Sequence, residues 1–402
     1  MRSLIKKPAI PIGVSLFALL LLVLSWQFPA FAKWYARWVF PVLVHTFGRF
    51  FNLFPFSVFE LGLVMLPIGL LALLAYVMFS KRTLRAFKRA GFCLLCFVSF
   101  MVTFFVLNAG INYSRESYAI HLGITVRESS VYELKSLYFL LVERAYVISA
   151  EVAVDEHGVF KPSHDGFHAI AREAMLNLHS TYGGLVGFFP RPRAPVLSRV
   201  MSYMRIGGFY SPWTIEAHYN GEIPAHRKPF MMVHELAHTA GHMREDEANF
   251  IAYLAGRNSS CADFNYSAVF GAIVYVLNAL HRTVDRETYS ELFRALPAQV
   301  QRDMAASRAF WQQFEGPVGD AANRANDAYL RANRQADGVQ SYGRMVDLLL
   351  AYYRTNNMLY SLASTIGLRK PSPALEAVVV GSRSPQPSPA GCAAFPQSAP
   401  GT

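Results

Sequence analysis

Val233-His234-Glu235-Leu236-Ala237-His238, followed at once by Thr239-Ala240-Gly241-His242-Met243-Arg244-Glu245-Asp246-Glu247-Ala248-Asn249, is the stretch on which the reading of this chain turns. It contains His-Glu-x-x-His. On a helix, His234 and His238 stand four residues apart, so both imidazoles leave one face and can share a tetrahedral metal. Glu235 is one residue on, about 100° round the helix, beside the open coordination position. There it can take a proton from water and later return one to a leaving amine. Pro229 suits a helix start, Phe230, Met231, Met232, Val233, Leu236 and Ala237 give an apolar packing surface, and Gly241 can end the helix. A buried helix with incidental histidines is the competing reading, and the combined signals favour zinc.

A catalytic zinc takes a third protein ligand. A metzincin continuation would need histidine at position 244, which is Arg244. His242 is eight residues after His234 and would lie a full turn beyond His238. The acidic cluster is better placed, because a second helix beginning near Arg244 can swing one carboxylate back. Glu247 is the expected ligand: it shares a face with Ile251 and Leu254, which should point into the core. Asp246 or Glu245 would then orient the site from behind, or complement the helix N-terminus.

His234-Glu235-Leu236-Ala237-His238 with Glu247-Ala248-Asn249 resembles the gluzincin-type zincins, membrane metallopeptidases whose motif is followed by a helix carrying a ligand Glu. Gly208-Phe209-Tyr210, Glu216-Ala217, Ile223-Pro224 and Glu245-Asp246-Glu247-Ala248-Asn249-Phe250 resemble more closely an uncharacterised bacterial membrane family, domain of unknown function 3810. That family has an N-terminal membrane region and a His-Glu-Leu-Ala-His motif. The resemblance extends from the first membrane segment to about residue 365, and implies a zinc-peptidase fold without a known substrate.

Composition agrees with a membrane protein. The chain has 402 residues, 53% of them hydrophobic, and a mean hydropathy of +0.22. Its formal charge of +11 is local: residues 1–112 hold eleven Lys and Arg and one acid, Glu60. The basicity is therefore a topology signal, and no nucleic-acid partner is expected. Apolar segments at about 10–28, 56–79 and 92–107 predict three transmembrane helices. Arg2, Lys6 and Lys7 precede the first; Lys81, Arg82, Arg85, Lys88 and Arg89 crowd the connection between the second and third. The positive-inside rule puts these in the cytoplasm and everything after residue 112 outside. Ala30-Phe31-Ala32 has the form of a signal-peptidase site, but the preceding apolar core suits an uncleaved anchor better.

Cys93 and Cys96 lie in an apolar segment and read as buried thiols; Cys261 and Cys392 could pair in an oxidising compartment. Ser130 and Glu133 form a capping-box pattern opening a helix to about residue 151, and a second helix is expected near 166–179. Short strands are expected at 195–201 and 214–220, with Gly207-Gly208 turning between them. Strand 214–220 is the candidate edge beside the cleft, with Glu216 and His218 as possible substrate contacts, although a plain edge-strand face is the simpler reading. After the motif, helices are expected at about 267–282, 286–296, 298–314, 320–336 and 342–364. The apolar stretch 268–280 reads as a core helix rather than a fourth span, and Tyr266 and Tyr275 as core residues before transition-state donors.

The expected architecture is α+β and mostly helical. A membrane region (1–112, three transmembrane helices) precedes a zincin-like extracytoplasmic metallopeptidase domain (113–366) and a flexible Pro/Ser-rich tail (367–402). The expected activity is hydrolysis of peptide or protein substrates at the outer face of the bacterial cytoplasmic membrane. His234, His238 and Glu247 would hold Zn2+, Glu235 would act as base then acid, and the lipid bilayer would be the other partner. The other readings are a zinc-stabilised or inactive envelope binding or structural protein, and a zinc amidase acting on cell-wall material.

Overall fold

A computed structural model describes residues 8–81, 83–163 and 166–356. The chain is mostly helical. Helices α1 (Ala9–Gln27), α2 (Val58–Phe79) and α3 (Thr83–Phe105) are the three expected apolar segments. The last continues through a π turn, Val106–Gly110, and a 3-10 turn, Ile111–Ser114. Each is long and apolar enough to cross a bilayer. None of the most apolar window of α2 is buried within the protein. Ser99 Oγ donates to Pro11 O at 2.8 Å and Leu22 lies against Gly110, so α1 and α3 run in the same direction. Phe59 stacks on Trp213, whose Nε1–H donates to Met101 O, and Arg89 Nη1 donates to Tyr76 OH, so α2 runs antiparallel to α3; Arg85, Lys88 and Arg89, expected in the connection, lie in the first turns of α3.

Between α1 and α2, residues 29–52 form a run of short α- and π-helical pieces. The Tyr35 hydroxyl donates to Leu107 O and the Phe47 ring meets Phe104, so this run lies against the last turns of α3.

Helix α4 (Val131–Ser149) opens with the expected capping box: Ser130 Oγ accepts from Glu133 N, and the Glu133 carboxylate accepts from Ser130 N. Helix α5 (Phe167–Tyr182) follows. The strand expectations are half right. Residues 198–203 form a helical turn, not a strand. The hairpin is β1 (Gly208–Ser211) paired antiparallel with β2 (Glu216–Tyr219), Phe209 opposite His218. Its turn is 212–215, with Ile215 in the left-handed region at φ 53, so Gly208 belongs to a strand instead of a turn. Trp213 at the tip donates Nε1–H to Met101 O and stacks on Phe59, pinning the hairpin between α2 and α3.

Helix α6 (Lys228–Thr239) carries the His-Glu-x-x-His motif, and every residue from Pro229 to Thr239 is buried. It is wedged among α5, the hairpin, α7 (Glu245–Arg257) and α8 (Ala262–His281). Burying Leu236, Val233 and Phe230 contributes about 1.5–3 kcal/mol each. Helix α8 is apolar enough to be a fourth span, but 72% of its most apolar window is buried against protein, α4 foremost. It is a core helix, as its sequence suggested. Helices α9 (Arg286–Arg294), α10 (Ala298–Gln312), α11 (Pro317–Ala332) and α12 (Met345–Thr355) complete the described chain. The expectations for the tail and for Cys392 fall outside the described residues.

Candidate functional site

The site is made where α6 ends and α7 begins. Pro229 sits in the first turn of α6, where a missing N–H costs nothing. The helix stops at Gly241, whose φ of +86 admits a left-handed turn that a side chain would strain. A Cβ there would also lie 2.8 Å from Phe40 and from Arg115 Nη1. The chain then re-enters a helix at Glu245, which brings the first turn of α7 back against the histidines.

The structure brings together His234, His238 and Glu245. His234 Nε2 and His238 Nε2 are 3.1 Å apart, and Glu245 Oε2 lies 3.2 Å from the first and 3.4 Å from the second. Glu247, the expected third member, points elsewhere: Oε2 lies 3.2 Å from His242 Nδ1, Oε1 lies 3.5 Å from Arg244 Nε, and Tyr118 N donates to it at 3.4 Å. The face argument misjudged the turn. Helix α7 is buried on nearly every side from its first residue, so apolar neighbours at 251 and 254 do not single out one carboxylate. Asp246 pairs with Arg244 and accepts from Glu247 N, holding the helix start. His242 offers its backbone, not its ring, to the histidine pair.

Three donor atoms at 3.1–3.4 Å from one another fit a small cation. Zn–N bonds of 2.0–2.1 Å in a tetrahedron give an edge of about 3.3 Å. The tautomers fit as well. His234 Nδ1 is 2.8 Å from Asn249 Oδ1, and the Asn249 amide is oriented by Nδ2 donating to Tyr275 OH and Tyr342 O. His238 Nδ1 donates to His242 O at 2.7 Å. With protons on both Nδ1 atoms, both Nε2 lone pairs face Glu245, the arrangement that outer partners impose on ligand histidines. Glu245 Oε2 is buried and makes no hydrogen bond among the described residues. Burial opposes charge on His238, but the Glu245 carboxylate outweighs it and raises the imidazole to about 9. Burial likewise opposes charge on Glu245, and the two histidines still bring its carboxyl down to about 2.

Glu235 is buried beside this group, and its Oε2 has no hydrogen-bond partner among the described residues. Burial pushes its carboxyl up to about 8, against the pull of His238. Its other oxygen presses on β1: a Cβ on Gly208 would lie 2.4 Å from Glu235 Oε1 and 2.9 Å from His218 O. Glycine at 208 is what lets strand and helix approach. Tyr210 on the same strand faces the His238 ring, and β1 has no strand partner on its outer edge among the described residues.

Strand β2, the expected cleft edge, is instead flanked by β1 and by a bridge to Arg193. Glu216 and His218 are engaged elsewhere than at the three donor atoms. The Glu216 carboxylate accepts from Val58 N (3.1 Å) and Phe59 N (2.9 Å) at the start of α2 and lies 3.4 Å from Arg193 Nε. His218 Nε2 is 2.8 Å from Ser57 Oγ, the N-cap of the same helix. The two side chains tie the hairpin to the membrane region, completing the exposed N–H groups of a helix start. Tyr275 serves Asn249, and Tyr266 donates to Asp303 in a separate polar cluster.

Sequence reasoning missed three contributors. Asn249 was quoted only as part of a motif, though its spacing of four from Glu245 puts both on one side of α7. Tyr113 and Tyr329, with hydroxyls 3.0 Å apart, lie within the electrostatic reach of Glu245. Their separation in sequence gives no local signal.

Comparison with known proteins gives one family. The chain belongs to the family described as "Protein of unknown function (DUF3810)", which matches residues 35–350. No curated protein and no solved structure matches it.

Proposed function

We propose that this member of the family is a membrane-anchored zinc-dependent peptidase. One observation carries the reading: two Nε2 lone pairs and an unpartnered carboxylate oxygen converge at tetrahedral-edge spacing, with a second buried carboxylate, Glu235, adjoining them. His234, His238 and Glu245 would hold the ion. Bound Zn2+ supplies Lewis acidity, polarising a substrate carbonyl and acidifying water.

The chain's own groups do the rest. Asn249 and the His242 carbonyl fix the two imidazoles in the tautomer that leaves Nε2 free. Glu235 accepts a proton from the attacking water and passes it to the leaving nitrogen. Burial strengthens the Glu235 carboxylate as a base, which suits a group that must take a proton from water. The free edge of β1, beside Glu235, offers backbone groups to an extended substrate segment, which favours a peptide over a compact small molecule. Three apolar helices and the charge asymmetry support anchoring in the cytoplasmic membrane with the site on its outer side.

Glu235→Gln tests the assignment. The variant should keep its zinc and lose peptide hydrolysis by more than about 100-fold, since an amide cannot accept the proton. Undiminished hydrolysis in the metal-loaded variant would require another base.

A further inference from the structure

On the side of the Gly241 turn away from the three donor atoms lies a cavity of about 390 Å3, lined by Lys33, Arg37, Pro41, Arg115, Glu116 and His242 among others. It brings three cations and one carboxylate together. Lys33 pairs with Glu116 at 2.9 Å and the buried Glu247 carboxylate lies within electrostatic reach of Arg115, so among the described residues the net positive charge at the cavity rests on Arg37. Arg115 is half-buried, and its hydrogen bonds go to the carbonyls of Ala240 and Gly184. Arg37 lies over the Trp38 ring at 5.3 Å, without a carboxylate partner among the described residues. Two guanidinium groups at one cavity suit a phosphate, whose oxygens match their planar donors.

A second observation decides what carries the phosphate. Lys33, Arg37 and Pro41 are spaced by four along the helical run 29–52, so they form one row facing the cavity. The neighbouring row, Trp34, Trp38 and Val42, is exposed at 52%, 62% and 57%. This run packs on the last turns of α3, the level at which an apolar helix leaves the bilayer. Exposed tryptophans there are interfacial anchors. A cationic cavity edged by an apolar row at that level fits an anionic headgroup whose acyl chains lie along the tryptophans. The geometry points to a phospholipid-headgroup site at this cavity, binding anionic glycerophospholipid in preference to zwitterionic lipid. It stands independently of the metal reading, and Arg115 connects it to the end of α6 through Ala240 O.

The test is thermal unfolding of the full chain, purified in detergent and delipidated, with added phosphatidylglycerol, phosphatidylcholine of the same chains, or inorganic phosphate. Phosphatidylglycerol should raise the Tm by roughly 5 °C and phosphatidylcholine by less than about 1 °C. The Lys33→Gln/Arg37→Gln variant, altered at exposed positions, should lose the phosphatidylglycerol shift, while Arg286→Gln on a distant surface keeps it. Ala36→Phe, which fills the cavity without changing charge, should lose it too. Equal shifts from the two lipids, or a full shift in both cavity variants, would overturn the proposal. An equal shift from inorganic phosphate that the cavity variants abolish would assign the site to a free anion and overturn the lipid.

Discussion

Glu245 and Glu247 are two residues apart, about 200° round a helix, so they cannot both face one ion. The structure gives them opposite jobs, and alanine at each should separate metal affinity from stability. Glu245 supplies one of the three converging donor atoms among the described residues. Residues one step behind a metal cost about 10–100-fold when removed, so Glu245→Ala should weaken zinc binding by more than ~100-fold. Glu247 instead accepts from buried Tyr118 N and meets His242 and Arg244. Its loss strands a buried donor at a cost of about 1–3 kcal/mol. For a domain of this size that is roughly 3–10 °C in Tm. Zinc competition against a chromophoric chelator would read the first effect, and thermal unfolding of the metal-free protein the second. Glu247→Ala should bind zinc within about tenfold of the parent. If it strips the metal while Glu245→Ala binds normally, the start of α7 has been assigned to the wrong face.

Asn249→Ala should weaken zinc binding by about 10–100-fold, because it frees the His234 ring without removing a donor; unchanged affinity in the same competition would remove Asn249 from the site. Gly208→Ala would force a Cβ against Glu235 and the His218 carbonyl, with an overpacking cost of about 1–3 kcal/mol. Pairing it with Glu235→Ala should recover part of that loss in Tm, and strict additivity would show that strand and helix do not touch. At Glu133, burial opposes charge, but hydrogen bonds from Arg354 and Ser130 N with the Arg127 charge outweigh it and hold the carboxyl down to about 2. A depressed carboxyl contributes stability above its ordinary value near 4.3, lost as pH falls towards 2. A Tm series from pH 6 to pH 3 should therefore fall less steeply for Glu133→Gln than for the parent.

The helices were legible because their signals are local. Ser130 with Glu133 capped α4 as read, Pro229 and Gly241 bounded the motif helix, and the apolar stretches lie in α1–α3, the third of which starts earlier than its apolar run and takes in Arg85, Lys88 and Arg89. The histidine pair was legible for the same reason, since a spacing of four on one helix needs no tertiary information. The third donor was not, because it depends on how far the chain turns between Gly241 and Glu245. The roles of Glu216 and His218 escaped for a related reason. Alternation on a strand says which residues share a face, but what that face meets, here the N-terminus of α2 more than 150 residues earlier, is a matter of tertiary packing.

The most direct measurement is the metal content of the full chain, purified from zinc-supplemented cells, by elemental mass spectrometry. The account predicts about one zinc per chain, lost in His234→Ala/His238→Ala while the fold is retained. A parent protein without zinc, or a double variant that keeps it, would contradict the metal centre and the activity proposed from it.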